Sequence, residues 1–293
     1  MSKNKLEVPI IDSHIHLWDI EVYKRRDWLQ DKPSLIRSFS PEDVANEFRT
    51  CGVQKGIIVE AIKYSIEDNV EWLRVSYESP YLLGAVPGCY LDDTNLPSVL
   101  DQYSEWDSFL GVRASPSRGN ECWDKLPLIQ KGLETLSERN IVLDVLARPN
   151  QPLDICQVAA EFPDLTLVID HCGLPSADPS DRNQWTDGVL ALGEFPRISM
   201  KYSGFGMIMK SPNADSQLQE VANTLFEAFG PSRLLWGSNW PVDSLWTSYA
   251  ENWELSRRML PRNLSREEQT LVYGGNCLRI FTPSSKHLRK ERI

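Results

Sequence analysis

Eight short apolar runs punctuate this chain, at 8–12, 56–61, 82–86, 110–113, 141–145, 165–170, 198–202 and 234–237. Most are continuously apolar rather than alternating. That is the pattern of parallel strands covered on both faces. Longer stretches with helix signals lie between them. Ser40-Pro41-Glu42-Asp43 supplies a capping serine, a proline at the first helical position and acids in the first turn, and Cys51-Gly52 closes that helix. A short amphipathic helix is expected over 152–162, stopped by Pro163, and another over 215–229, capped by Asn213 and ended by Gly230-Pro231. Ser265-Arg-Glu-Glu268 is a capping box for a last helix reaching Phe281. Eight strand-then-helix units predict an α/β fold, a single-domain (β/α)8 TIM barrel over 1–282, with a basic tail at 283–293. The rival is an open doubly wound sheet. It lacks the Gly-x-Gly-x-x-Gly that a dinucleotide fold places after its first strand.

Charge and cysteine usage narrow the partners. The formal net charge of −10 argues against nucleic acid and against an anionic membrane surface. No apolar stretch approaches the roughly 20 residues of a membrane helix, and the first residues carry no signal-peptide core. Six scattered cysteines without a Cys-x-x-Cys pair fit reduced thiols in the cytoplasm. The expected partner is a small molecule, with homo-oligomerisation left open.

In such a barrel the strand ends carry the chemistry. The first run leads to His14 and His16, which share one face of an extended strand. The second ends in Glu60, the fourth in Arg113, and the fifth carries Asp144. The sixth ends in Asp170-His171-Cys172-Gly173, the seventh in Lys201-Tyr202-Ser203-Gly204, and the eighth in Gly237-Ser238-Asn239-Trp240-Pro241-Val242-Asp243. Singly each has a packing explanation: Arg113 pairing with Glu60 or Asp144, Lys201 reaching the surface, Asp144 capping a helix. Three of the chain's four histidines at one mouth are harder to explain that way. His14, His16 and His171 are the candidate metal ligands, for a divalent ion such as zinc, in a site that also works metal-free. Trp18, Tyr64 and Trp240 are candidate stacking surfaces for a sugar-like or aromatic ring, with Arg113 and Asp243 as polar substrate contacts.

These strand-end motifs, in order, resemble the amidohydrolase-2 branch of the amidohydrolase superfamily, which includes sugar-lactone and pyrone lactonases. The motifs are Ile-Asp12-Ser-His14-Ile-His16-Leu-Trp18-Asp19, Gly111-Val112-Arg113, Val168-Ile-Asp170-His171-Cys-Gly173, Lys201-Tyr-Ser203-Gly204 and Leu235-Trp-Gly237-Ser238-Asn239-Trp240-Pro241-Val242. The resemblance implies a hydrolase that opens a lactone ring. It also implies that His14, His16 and His171 either bind a metal or polarise the carbonyl directly. The strand-eight position is usually an aspartate that takes a proton from the attacking water; here it is Asn239. Ala114 stands where lactonase relatives often place a histidine.

An amide has no useful basicity near neutral pH. The missing base is therefore replaced by a metal on the three histidines, by Glu60, Asp144 or Asp243, or by an oxyanion-stabilising cluster of Lys201, Arg113 and the histidines. The expected function is hydrolysis of a small polar, sugar-acid or carboxylated lactone. The alternatives are a non-hydrolytic decarboxylase or lyase of the same superfamily, or a catalytically altered binding protein.

Overall fold

The computed structural model describes residues 8–22, 27–61, 65–118, 122–175, 179–209 and 214–281. Tyr64, Asn213 and the 283–293 tail lie outside them. The strands are β1 Ile11–Ile15, β2 Lys55–Val59, β3 Leu82–Val86, β4 Gly88–Tyr90, β5 Val112–Ser115, β6 Leu143–Val145, β7 Leu167–Ile169, β8 Ile198–Tyr202 and β9 Leu234–Trp236. Every pairing is parallel and follows chain order, as a β1-β2-β3 sheet and a β4-to-β9 sheet. Parallel bridges at Ala85–Phe109 and Ile15–Trp240 bring further backbone into register. The result is a TIM-barrel-like arrangement of parallel sheets. Each of the eight expected runs carries a strand. The additional one, β4, follows Pro87, which has no N–H with which to continue the ladder.

Helices fill the intervals: α1 Pro41–Cys51, α2 Ile66–Glu78, α3 Leu96–Ser104, α4 Leu126–Glu138, α5 Pro152–Glu161, α6 Pro179–Gly193, α7 Phe205–Ile208, α8 Ala214–Phe229, α9 Tyr249–Arg258, α10 Arg266–Thr270 and α11 Asn276–Phe281. The Ser40 capping box and the left-handed Gly52 bound α1 as the sequence requires. The last helix is not continuous. Ser265 and Glu268 cap α10, but a five-residue π turn separates it from α11. Gly274 lies in that turn because a Cβ there would meet the Pro9 carbonyl oxygen at 2.0 Å. No helix among the described residues is long and apolar enough to cross a membrane.

Two layers stack inside the sheets. The lower is apolar: Ile11, Ile57, Val86, Val142, Val168 and Leu235 pack on Cys277 and Phe281 of α11. Two residues further along, on the same face, Val142 gives way to Asp144, Val168 to Asp170, Ser199 to Lys201 and Leu235 to Gly237. Glycine at 237 leaves room for β1, since a Cβ would lie 2.9 Å from Ser13 Oγ and 3.0 Å from His14 Cβ.

The first strand departs from expectation. It runs Ile11–Ile15 rather than 8–12, so His14 lies within it. Apolar runs mark only the lower layer; the polar part of the strand pairs elsewhere. The β1–β2 register slips between Asp12 and Ile15, a bulge that sets one extra residue on β1. Ile11 therefore packs in the inner cluster while Ile15 packs in the outer one, and His14 faces inward. The fourth expected strand is displaced in the same direction, from 110–113 to Val112–Ser115.

Asp12, on the outward side, ties β1 to the segment after β9. Its Oδ1 accepts from His14 N at 3.1 Å and Ser238 N at 2.9 Å, and its Oδ2 accepts from Tyr249 Oη at 2.9 Å. Burial, against these hydrogen bonds, pushes its carboxyl up to about 6. Three buried donors converge on one side chain, and each left unpaired costs roughly 1–3 kcal/mol. Asp12→Ala is expected to lower the urea unfolding free energy by about 3–5 kcal/mol, and Asp12→Asn by clearly less. Equal and small losses in both variants would contradict this role.

Candidate active site

Side chains from β1, β5, β6, β8 and the end of β7 meet above the apolar layer. Asp170 is central and fully buried. Its Oδ1 lies 3.1 Å from His14 Nδ1 and 3.0 Å from Lys201 Nζ, and its Oδ2 lies 3.1 Å from Arg113 Nη2. Lys201, also fully buried, pairs in addition with Asp144 and lies 3.0 Å from His14 Nδ1. Arg113 donates its other terminus to the Glu60 carbonyl. Of the three fates open to Arg113, Lys201 and Asp144, the structure selects a shared interior network. Arg113 forms an ion pair with Asp170, and its charge is also felt by Asp144. Lys201 points inward rather than to the surface.

Two carboxylates and two cations balance in this layer. Burial opposes ionisation of Asp170, but Lys201, His14 and Arg113 outweigh it and hold its carboxyl well below the usual range. Burial and then the neighbouring Asp170 charge push Asp144 up to about 7. Burial disfavours the Lys201 ammonium, yet Asp144 and Asp170 raise it above the ordinary lysine value. The pair of carboxylates therefore differs in proton affinity, with one held ionised and one poised.

The histidines are neutral. Burial and the Lys201 charge keep His14 well below its ordinary value. Burial, helped by Arg113, brings His16 down to about 3, and burial brings His171 to about 3 against the pull of Asp170. His16 Nδ1 faces the Val59 carbonyl at 2.8 Å, so it carries the proton and leaves a lone pair on Nε2. That Nε2 lies 3.1 Å from His14 Nε2. When His14 Nδ1–H donates a hydrogen bond to Asp170, two lone pairs face each other on the Nε2 atoms and favour a cation. Adjacent nitrogens on a tetrahedral zinc sit about 3.3 Å apart, so the donor set fits such an ion. When His14 Nδ1 instead accepts from Lys201, its Nε2–H donates to His16, and the pair is satisfied without metal. The residues thus accommodate both states that the sequence left open.

His171 completes the cluster. Its ring centroid lies 4.3 Å from that of His14, and ligand atoms of His14, Asp170 and His171 all lie within 4.8 Å of one another. Asp170 in this set is the residue that the candidate metal ligands omitted. Its signal was the Asp-His pair closing an apolar run. Holding His171 inward takes unusual backbone: His171, Cys172 and Leu174 all have φ between 51° and 57°. The turn is held by Ser203 Oγ, 3.0 Å from His171 Nδ1, and by Trp185 Nε1, donating to the Cys172 carbonyl at 2.9 Å. Gly204 makes space, since a Cβ there would sit 2.8 Å from His171 Cβ.

Asn239 follows β9, again with positive φ, and its N–H donates to the His14 carbonyl at 2.9 Å. Its amide donates to Asp243 Oδ1 at 2.9 Å. Asp243 Oδ2 accepts from Gly206 N at 2.8 Å and Asn252 Nδ2 at 3.1 Å. Asp243 is thereby an anchored neighbour of Asn239. Among the described residues Asn239 Oδ1 has no hydrogen-bond partner, although it is buried. Such an atom costs roughly 1–3 kcal/mol until a donor arrives. Glu60 is buried at the end of β2, directly after the carbonyl that holds His16.

The aromatic candidates are placed differently from a stacking platform. Trp18 is 3% exposed, edge-on to Trp28 and Phe39, and donates to the Arg37 carbonyl at 2.7 Å. Trp240 is 5% exposed and packs edge-on to Phe39. Trp18 closes the segment between β1 and α1 on itself, and Trp240 ties that segment to the one after β9.

This combination of parallel strands and an interior histidine–carboxylate cluster agrees with the family match. The chain belongs to the amidohydrolase-2 family (Amidohydrolase), whose model matches residues 11–282. It is 23% identical over 282 residues to an L-fucono-1,5-lactonase of Burkholderia ambifaria, covering 92% of this chain and 94% of that one. It is 26% identical over 299 residues to an L-fucono-1,5-lactonase of Burkholderia multivorans, covering 92% and 95%. A crystal structure of a Burkholderia multivorans amidohydrolase with bound zinc superposes with a TM-score of 0.83 at 23% identity, covering 93% of this chain and 99% of that one.

A neutral imidazole whose folded value lies far below about 6.5 takes up no proton as pH falls through that region. In metal-free protein the ring NMR signals of His14, His16 and His171 are expected to keep neutral-form shifts from about pH 8 to about pH 4.5. A midpoint near 6.5 for any of the three would contradict the burial described.

Proposed function

We propose that the chain is a hydrolase that opens a small polar lactone, of the sugar-acid or carboxylated kind, at the mouth of a closed (β/α)8 barrel formed by residues 1–282. The carrying observation is the set of three neutral, converging histidines, one of them paired with an ionised carboxylate that also binds the buried Lys201 and the part-buried Arg113. The L-fucono-1,5-lactonase relatives support this reading. The six free cysteines suit a cytoplasmic enzyme with a basic tail at 283–293.

In this reading His14, His16 and His171 would hold a divalent ion, with Asp170 fixing the His14 ring from behind. Bound there, zinc would supply Lewis-acid polarisation of the lactone carbonyl. Lys201 and Arg113 place positive charge behind the histidines and favour the negative charge that develops on the carbonyl oxygen. Water adds to the carbonyl carbon, the ring C–O bond breaks, and the freed ring oxygen takes a proton to become a hydroxyl. Asp144 is the group matched to hold the proton that water loses. Its carboxyl is raised to about 7 and it is linked through Lys201 to His14 Nδ1. Glu60 and Trp240 border this centre on neighbouring strand ends.

A decarboxylase or lyase is the second reading, favoured by Asn239 in place of a carboxylate. Product mass separates the two, since hydrolysis adds one water and decarboxylation releases carbon dioxide. On a panel of aldonolactones and carboxylated lactones, His14→Ala and His171→Ala are expected to lower kcat/KM by at least about 100-fold with the fold retained by circular dichroism. Because the raised Asp144 carboxyl is a base only when ionised, wild-type kcat/KM is expected to fall as pH drops below about 7. Full activity in both variants, or a product without added water, would remove the hydrolase reading.

A further inference from the structure

We propose that Asn239 presents its side-chain carbonyl oxygen as a fixed acceptor for the attacking water, and that Asp243 is the positioning residue that sets this orientation. The inference rests on the hydrolase reading above. It also accounts for the departure at the strand-eight position.

The orientation follows from donor and acceptor counting. Three donors converge on the Asp243 carboxylate: Asn239 Nδ2 at 2.9 Å, Gly206 N at 2.8 Å and Asn252 Nδ2 at 3.1 Å. An ionised carboxylate only accepts. The atom of Asn239 that faces it is therefore the NH2, and the opposite rotamer would set two oxygens against each other. The two amide atoms diverge from Cγ, so Oδ1 is turned away from Asp243. It is buried and without a hydrogen-bond partner among the described residues.

The backbone allows little escape. Asn239 N donates to His14 O at 2.9 Å, and Asp243 N donates to Asn239 O at 3.0 Å. Asn239 also occupies the left-handed region, at φ 55°. Asp243 is equally confined, because a Cβ at Gly206 would lie 2.9 Å from its Cγ. The Asn239 backbone is thus fixed against that of His14, and Asp243 sets the direction of its side-chain acceptor.

A carboxylate at 239 would stand at hydrogen-bond distance from that of Asp243, and two such groups do not both ionise readily. An amide at 239 avoids that conflict, because its NH2 donates to the Asp243 carboxylate. Asn239 orients water and accepts no proton, so the proton still passes to a separate group.

Three full-length variants test this: Asp243→Asn, Asn239→Asp and the exchange Asn239→Asp/Asp243→Asn. With the lactone that the wild type turns over best, Asp243→Asn is expected to lower kcat by about 10–100-fold with KM nearly unchanged. Asn239→Asp is expected to fall further. The exchange is expected to recover at least about tenfold over the worse single variant, because an amide at 243 again donates to an acceptor at 239. Wild-type kcat in Asp243→Asn, or no recovery in the exchange, would overturn the proposal. A second readout needs no substrate. The Asn239 side-chain NH2 is expected to be protected from hydrogen exchange in the wild type and less protected in Asp243→Asn. An unprotected wild-type amide would overturn the orientation even in an active enzyme. Protection with no lactone turned over would leave the orientation standing and remove the hydrolytic role.

Discussion

The ion pair between Asp170 and Lys201 governs the rest of the site. Both side chains are fully excluded from solvent, and each binds further partners: Arg113 and His14 for Asp170, Asp144 and His14 for Lys201. A single charge in that position would be untenable, since unpaired buried ions cost several kcal/mol each. The network is tolerable because its charges cancel and its geometry is shared. Loss of one member exposes the others to the same penalty. The fold is accordingly organised to bring β1, β5, β6, β8 and the end of β7 to one point.

That arrangement has chemical consequences. Asp170 is ionised and steers His14; Asp144, close by, has its carboxyl pushed up toward neutrality. Similar residues thus acquire different jobs from their surroundings. The histidines are neutral because they are buried beside cations, which preserves their lone pairs for an electrophile. The bulge in β1 adds the missing geometric element, turning His14 inward above Ile11. The strained turn at His171 supplies the third ring.

Much of this was legible in the residues. Runs of unbroken apolar side chains marked the strands because parallel strands are covered on both faces, and Ser40, Gly52 and Ser265 marked helix ends through their capping chemistry. Strand limits were less legible, because hydrophobicity marks the apolar layer and not the polar one above it. Hence β1 continues through Asp12, Ser13 and His14, whose polar groups find partners inside the protein. Asp170 was visible at a strand end, but its partners come from β1, β5 and β8, a convergence no local pattern carries. The aromatic residues were less legible for another reason: ring faces suited to a sugar are equally suited to packing, and Trp18 and Trp240 both lie buried against Phe39. The tie between Asn239 and Asp243 is a four-residue step across a tight turn, readable once the turn is known.

The most direct test of this account is a double-mutant cycle on Asp170 and Lys201, using Asp170→Asn, Lys201→Met and the pair, read by urea unfolding. If the buried pair organises the site, each single variant leaves the buried network with an unbalanced charge, and the coupling energy is at least about 2 kcal/mol. Single effects that add to within about 0.5 kcal/mol would contradict it.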